Sequence, residues 1–331
     1  MTDYRVTFTG QCRAELIAHA FDPTPGPGEL VGENLFSLIS TGSERGGYTQ
    51  KFPDDSYPME TGSSSMARVL AVGEGVTGFR PGDLFYHSEH HTRYVRLNAG
   101  DAIAAPAGAP PEKVLFGRYA AVSMTSVYQM KAKPADTVAV TGQGMVGAMC
   151  AAVLQAFGFR VYAVDPSAMR QAVSREMGIQ NVGASLEELN VQQQSCAALL
   201  ECSGNENALR MALPYLRHGA DVYQIGVPWH KASDWSAHEL LYQIFYGFLS
   251  VHGGWEWSIP RKNDEFHSHS SFSHIASAME MIAQGKIKIP DSMYELRDPR
   301  DCGSIYQEIT APRMSPTSII FDWSRFREAE Q

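Results

Sequence analysis

Cysteine is scarce in this chain and follows no pairing pattern. The five residues, Cys12, Cys150, Cys196, Cys202 and Cys302, are odd in number, scattered, and form no CxxC pair. That excludes a disulfide scaffold and fits free thiols in a reducing cytoplasm. Clustered positive charge is missing too: 27 Lys and Arg face 36 Asp and Glu, for a formal charge of −9. The densest basic stretch, Arg93 to Arg96, offers only its two end residues. A nucleic-acid partner needs rows of phosphate-neutralising side chains, so none is expected. The longest nearly apolar run, 145–159, contains Gln155 and falls short of the ~20 residues that cross a bilayer. The opening MTDYRVTFTG has no basic segment leading into an apolar one, so neither a secretory signal nor a membrane partner is expected.

Apolar residues at 44% and charged residues at 19% specify a soluble globular protein, and the length allows two domains with their own cores. The most informative segment runs from Lys133 to Asp165. It holds a β-type run (Thr137 to Thr141), the glycine string Gly142-Gln143-Gly144-Met145-Val146-Gly147, a small-residue helix, a second β-type run (Arg160 to Val164) and the carboxylate Asp165. This is the sequence form of a dinucleotide-binding βαβ unit. Gly142 permits a tight turn, Gly144 lets backbone amides approach a pyrophosphate, and Gly147 lets the helix lie close on the sheet. Asp165 lies about 20 residues beyond Gly144, where a carboxylate accepts hydrogen bonds from ribose hydroxyls and repels a 2′-phosphate; NAD is therefore favoured over NADP. Arg170 stands near enough to stack on the adenine or reach a phosphate.

Further β-type runs at Ala197 to Cys202, Asp221 to Val227 and Phe248 to His252 alternate with helical patterns at Ser167 to Met177, Asn205 to Arg217 and Ser236 to Tyr246. The expectation is an α/β fold with a doubly wound parallel sheet. The first 118 residues, with frequent Gly and Pro between short β-rich pieces, suggest an antiparallel or barrel-like domain. A helix from about Phe272 to Gln284 and closing strands ending in SIIFDW follow.

This arrangement, with LISTGSERGG (38–47), METGSSSMARVLAVGEGVTGFRPGD (59–83), the TGQGMVG turn and GKIKI, resembles the medium-chain dehydrogenase/reductase superfamily. The resemblance implies a GroES-like catalytic domain over 1–118, an inserted Rossmann domain over 119–254, and a return to the catalytic domain over 255–331. It also implies hydride exchange between a nicotinamide cofactor and a small alcohol or carbonyl compound, and a homodimer through the sheet edge near Phe248 to Gly253. Cys202, Ser203 and Gly226 are expected to flank the nicotinamide half. Where zinc-dependent relatives carry their ligands this chain has Thr41, Ser63 and Gly117, which offer no thiolate, imidazole or carboxylate, so zinc is not expected. ISTGSER and IIFDW resemble the zinc-lacking branch that contains bacteriochlorophyllide dehydrogenase and sugar or cyclitol dehydrogenase-like proteins.

Without a metal, another group must stabilise the reacting oxygen. Ser43 matches the proton-relaying hydroxyl of the zinc enzymes, with a turn or N-cap serine as the plain alternative. His91 is a candidate general acid or a hydrogen-bonded histidine at a strand start, and Tyr119 is a further candidate donor. His87, Glu89 and His91 alternate as a rival metal set, against a polar strand edge as the simpler account. Two other functions stay open: an NADPH-dependent quinone or enone reductase, and a non-catalytic dinucleotide-binding protein.

Overall fold

The computed structural model describes residues 1–51, 56–253, 255–311 and 318–326. They fall into two units, one formed by Met1–Phe116 with the segment from Asp291 onward, the other by Gly117–Pro290.

In the first unit the strands are β1 (Thr2–Gly10), β2 (Arg13–Ala20), β3 (Glu29–Leu38), β4 (Met59–Glu60), β5 (Ser65–Val72), β6 (Leu84–His87), β7 (Tyr94–Asn98) and β8 (Ile103–Ala104), with helices α1 (Thr41–Tyr48) and α2 (Pro111–Val114) between them. β2-β1-β4 form a small sheet, and β3 is the hub of a larger one. All pairings among β1 to β8 are antiparallel, as the Gly- and Pro-punctuated sequence implies. The chain returns to this unit at its end with β15 (Tyr294–Arg297), α9 (Cys302–Thr310) and β16 (Ser318–Asp322), once the second unit has been traversed. β16 pairs antiparallel with β3 and parallel with β15, and every residue in it is buried. Its Phe321, with Trp323, Phe8, Tyr48 and Tyr306, forms the core; burying one such side chain contributes about 1.5–3 kcal/mol.

The second unit holds α3 (Gly117–Gln129), β9 (Thr137–Thr141), α4 (Met145–Ala156), β10 (Arg160–Val164), α5 (Ala168–Glu176), β11 (Asn181–Gly183), β12 (Cys196–Glu201), α6 (Glu206–Ala212), β13 (Leu216–Gln224), α7 (Ala237–Gly247), β14 (Ser250–Gly253) and α8 (Ser271–Ala283). The six strands are parallel throughout, in the order β11-β10-β9-β12-β13-β14. β12 is buried at all six positions, and its first five residues are the continuous apolar run of a strand covered on both faces. The winding direction reverses between β9 and β12, and in such sheets ligands bind beyond the strand ends at that point.

One expected boundary differs. Residues 255–290 belong to the second unit, because α8 packs on α3: a side chain at Gly117 would meet Met279 Cγ at 2.8 Å, and Thr125 lies 3.3 Å from His274 Nδ1. The expected last residue of the inserted domain, Gly254, lies outside the described residues.

Candidate functional site

At the switch point β9 ends in Thr141 and the chain turns through Gly142 with φ of +81°, a conformation that favours glycine. A Cβ there would lie 2.7 Å from Ser203 Cα, and one at Gly147 would lie 1.7 Å from the Gly142 carbonyl oxygen. Both glycines are required by contact. Gly144 is the reverse case, with open space where a Cβ would point. It is the N-cap of α4, and among the described residues no side chain caps it. Met145 and Val146 open the first turn and are half-buried. The positive end of α4 thus presents backbone to an open side, the requirement for holding a pyrophosphate.

Gln143 braces this turn from within. Its buried side chain donates to the carbonyls of Gly142 (3.3 Å) and Val140 (3.4 Å) and accepts from Ser174 Oγ at 3.2 Å. Asp165, only 2% exposed, accepts from the Gln143 amide at 2.7 Å and the Ser167 amide at 2.8 Å. Arg170 reaches the same carboxylate at 3.4 Å. The acid therefore ties the end of β10 to the glycine turn before any ligand is considered.

Ser203 donates its amide and hydroxyl to Glu201. A Cβ at Gly226 would lie 2.2 Å from the Gly204 amide nitrogen, so the loops after β12 and β13 touch backbone to backbone. Cys202 is set differently: its thiol packs beside Cys150, and burial pushes its ionisation well above the ordinary range. It is a packing residue on the α4 side, unsuited to proton transfer.

Sequence reasoning missed Glu201, which is fully buried. It lies in register with Thr141 of β9 and Gln224 of β13, so the last residues of three adjacent strands form one polar row. An acid at the end of an apolar strand reads as a solvent-facing residue. Its position at the carboxyl edge of the central strand was the available signal.

In the first unit, Ser43 lies exposed in the opening turn of α1 and Glu44, next to it, is buried. His91 is fully buried. Trp323 Nε1 donates to Ser37 Oγ at 2.9 Å, Ser37 Oγ lies 2.8 Å from His91 Nδ1, and His91 Nε2 lies 3.2 Å from Glu44 Oε2. Tyr306 also donates to Glu44, as does the Ser40 amide at 2.6 Å. Burial opposes the charge on Glu44, but these donors outweigh it and hold the carboxyl below its usual range. The network anchors α1 beneath Ser43, and it leaves His91 inside the core instead of at a surface where a general acid meets substrate. Tyr119 is buried on α3 in the second unit.

The rival metal set does not assemble. His87 Nε2 lies 2.8 Å from Asn34 Oδ1, and His87 Nδ1 accepts from the Glu89 amide at 3.2 Å, so both ring nitrogens of His87 are engaged, as are those of His91. Among the described residues no three His, Cys, Asp or Glu side chains group as a metal site. Thr41, Ser63 and Gly117, the residues that the resemblance sets against zinc-ligand positions, supply no thiolate, imidazole or carboxylate.

A discontinuous β-rich unit and a complete doubly wound sheet make up a GroES-like plus Rossmann architecture. Residues 145–258 match the zinc-binding dehydrogenase family. An L-threonine 3-dehydrogenase from Anaeromyxobacter sp. (strain Fw109-5) is 27% identical over 221 residues, 54% of this chain and 63% of that protein. The chain thus aligns with less than two thirds of that relative's length. Acetophenone reductase from Geotrichum candidum NBRC 4597, solved with NAD, has the same fold at a TM-score of 0.77 and 15% identity, covering 97% of each chain. A protein from Sinorhizobium meliloti 1021 bound to NADP aligns at a TM-score of 0.78 and 17% identity, over 97% of this chain and 99% of that one. In sequence over these segments, and in fold over nearly its whole length, the chain is similar to medium-chain dehydrogenases/reductases.

Proposed function

We propose that this chain is a nicotinamide-dependent oxidoreductase acting on a small alcohol/carbonyl pair, with NAD preferred and no zinc at the reacting oxygen. The observation that carries it is the open space at Gly144, where α4 starts behind the Gly142 turn, tied to the buried Asp165 at the sheet's switch point. Gly144, Met145 and Val146 hold the pyrophosphate, and Asp165 takes the adenosine ribose with its remaining lone pairs. When bound, the nicotinamide supplies hydride exchange with the substrate carbon. Ser43 Oγ gives or takes the proton at the substrate oxygen and exchanges it with solvent, while Glu44, His91 and Tyr306 fix the helix that carries it. Ser203 and Gly226 shape the nicotinamide end.

The partner is a second copy of the chain. α7 buries none of its residues; Leu241, Phe245, Tyr246 and Phe248 are each more than half exposed, next to the edge strand β14. An apolar face beside an unpaired strand edge favours self-association. No described helix is long and apolar enough to cross a membrane, in keeping with a cytoplasmic site of action.

A second reading, an NADPH-dependent quinone or enone reductase, draws on Arg170 beside Asp165 and on the NADP bound to the Sinorhizobium protein. Parallel titrations with NADH and NADPH, with metal analysis of protein purified without added ions, decide between them. Tighter NADH binding and no stoichiometric zinc are expected; a strong NADPH preference or one zinc per chain overturns the proposal.

A further inference from the structure

Five donors converge on the two carboxyl oxygens of Glu201. Oε1 accepts from Thr141 Oγ1 at 3.2 Å, from the Ser203 amide at 2.8 Å and from the Ser203 hydroxyl. Oε2 accepts from the Gly204 amide at 3.0 Å and from Gln224 Nε2 at 2.6 Å. A protonated acid would bring its own hydrogen into this ring of donors, whereas the carboxylate accepts all five. The donors are hydroxyls, amides and backbone groups, and none carries a positive charge. Glu201 is therefore a fully buried anion neutralised only by dipoles, at the carboxyl edge of the three central strands.

Its partners belong to the three loops that frame the dinucleotide site. Thr141 leads into the Gly142 turn, Ser203 and Gly204 form the loop after β12, and Gln224 precedes the loop containing Gly226. Those loops meet with almost no clearance at Gly142, Gly204 and Gly226, so one carboxylate sets the spacing of all three. The Ser203 and Gly204 amides are engaged by Glu201.

We infer that Glu201 is a charge-bearing positioning residue: it locks the loop after β12 against the phosphate turn and biases the site toward the oxidised, pyridinium form of the cofactor. The inference rests on the nicotinamide proposal for this site. A fixed anion repels the pyrophosphate equally in both redox forms, but it attracts only the cationic ring of NAD⁺. The ratio of NAD⁺ to NADH affinity isolates that charge from any general loosening of the loops.

The test uses the full chain and direct titration with NAD⁺ and with NADH, without substrate. Glu201→Gln removes the charge at nearly constant shape, and Gln224→Lys places a cation beside it, so the two variants neutralise the site by independent routes. In either folded variant the NAD⁺ dissociation constant is expected to rise about fivefold more than that of NADH, the scale of one unit charge acting through a partly screened interior. Glu201→Asp keeps the charge and is expected to keep the ratio even where it weakens both affinities. Wild-type protein that binds neither nucleotide overturns the nicotinamide proposal itself. Normal wild-type binding with an unchanged ratio in whichever neutralised variant folds overturns the inference alone.

Discussion

Replacing Asp165 with Asn tests the cofactor assignment at its most exposed point. The carboxylate accepts two backbone amides, and its cationic neighbour Arg170 is about a third exposed. Asn keeps the size and one acceptor oxygen, so the bond from the Gln143 amide can persist. Its NH₂ group then faces the Ser167 amide, at a cost of about 1–3 kcal/mol in stability for the mismatched pair. The effect on selectivity is electrostatic. A 2′-phosphate carries close to two negative charges, and its repulsion by the carboxylate across a partly screened site amounts to about 2–3 kcal/mol. Removing the charge also frees Arg170 to meet the phosphate. The ratio of NADPH to NADH affinity should therefore rise roughly 30- to 150-fold, while NADH alone weakens about tenfold from the loss of charge-assisted bonds to the ribose. Titrations following nicotinamide fluorescence, with thermal unfolding to verify the fold, measure both. An unchanged ratio in a folded variant refutes the assignment of Asp165 to the ribose.

Three further outcomes are expected. Ser43→Ala, at an exposed position, should cut turnover by at least about tenfold and leave NADH affinity and the unfolding temperature in place; undiminished turnover removes Ser43 from proton handling. Gly147→Ala drives a methyl group into the Gly142 carbonyl oxygen, 1.7 Å away, so a loss of about 3 kcal/mol in stability together with NADH binding is expected by urea unfolding and titration, and normal binding would show that α4 need not touch the turn. Burial holds the His87 imidazole down to about 3, whereas the unfolded chain takes up that proton near the ordinary value of ~6.5. Stability should then fall as pH drops below that value, by about 1.4 kcal/mol per unit and about 2 kcal/mol at pH 5. In His87→Gln the unfolding free energy should lose that component of its pH slope, and parallel slopes in the two proteins would contradict it.

The inserted unit was the most legible part of the sequence. Thr137–Thr141 and Arg160–Val164 form strands over the span expected from their β-branched, apolar residues, because a buried central strand has little besides composition to specify. Later boundaries moved for identifiable reasons. The helix expected over Asn205 to Arg217 stops at Ala212, with Pro214 just beyond it, and β13 begins at Leu216, drawing the polar Arg217 and His218 into a strand. The strand expected from Phe248 starts at Ser250, since Phe248 closes α7 in a left-handed conformation. Pairwise chemistry was the illegible part. His91, Glu44 and Tyr306 are far apart in sequence, and periodicity carries no information on which buried polar groups meet. Glu201 was hidden for the same reason, since its meaning lies in the register of β12 against β9 and β13.

The threading of the first unit has a consequence for biogenesis. β16, which completes the sheet beside β3, is made only after the whole second unit has been translated. During synthesis the continuous segment from Gly117 to Pro290 emerges with all six of its strands, while the end of β3 from Phe36 to Leu38 waits for its β16 partner and the pocket for Trp323 stays empty. A nascent chain stalled or truncated near residue 290 would therefore carry a finished parallel-sheet half joined to an unfinished, adhesive one, the kind of species that ribosome-associated chaperones and proteases are positioned to intercept.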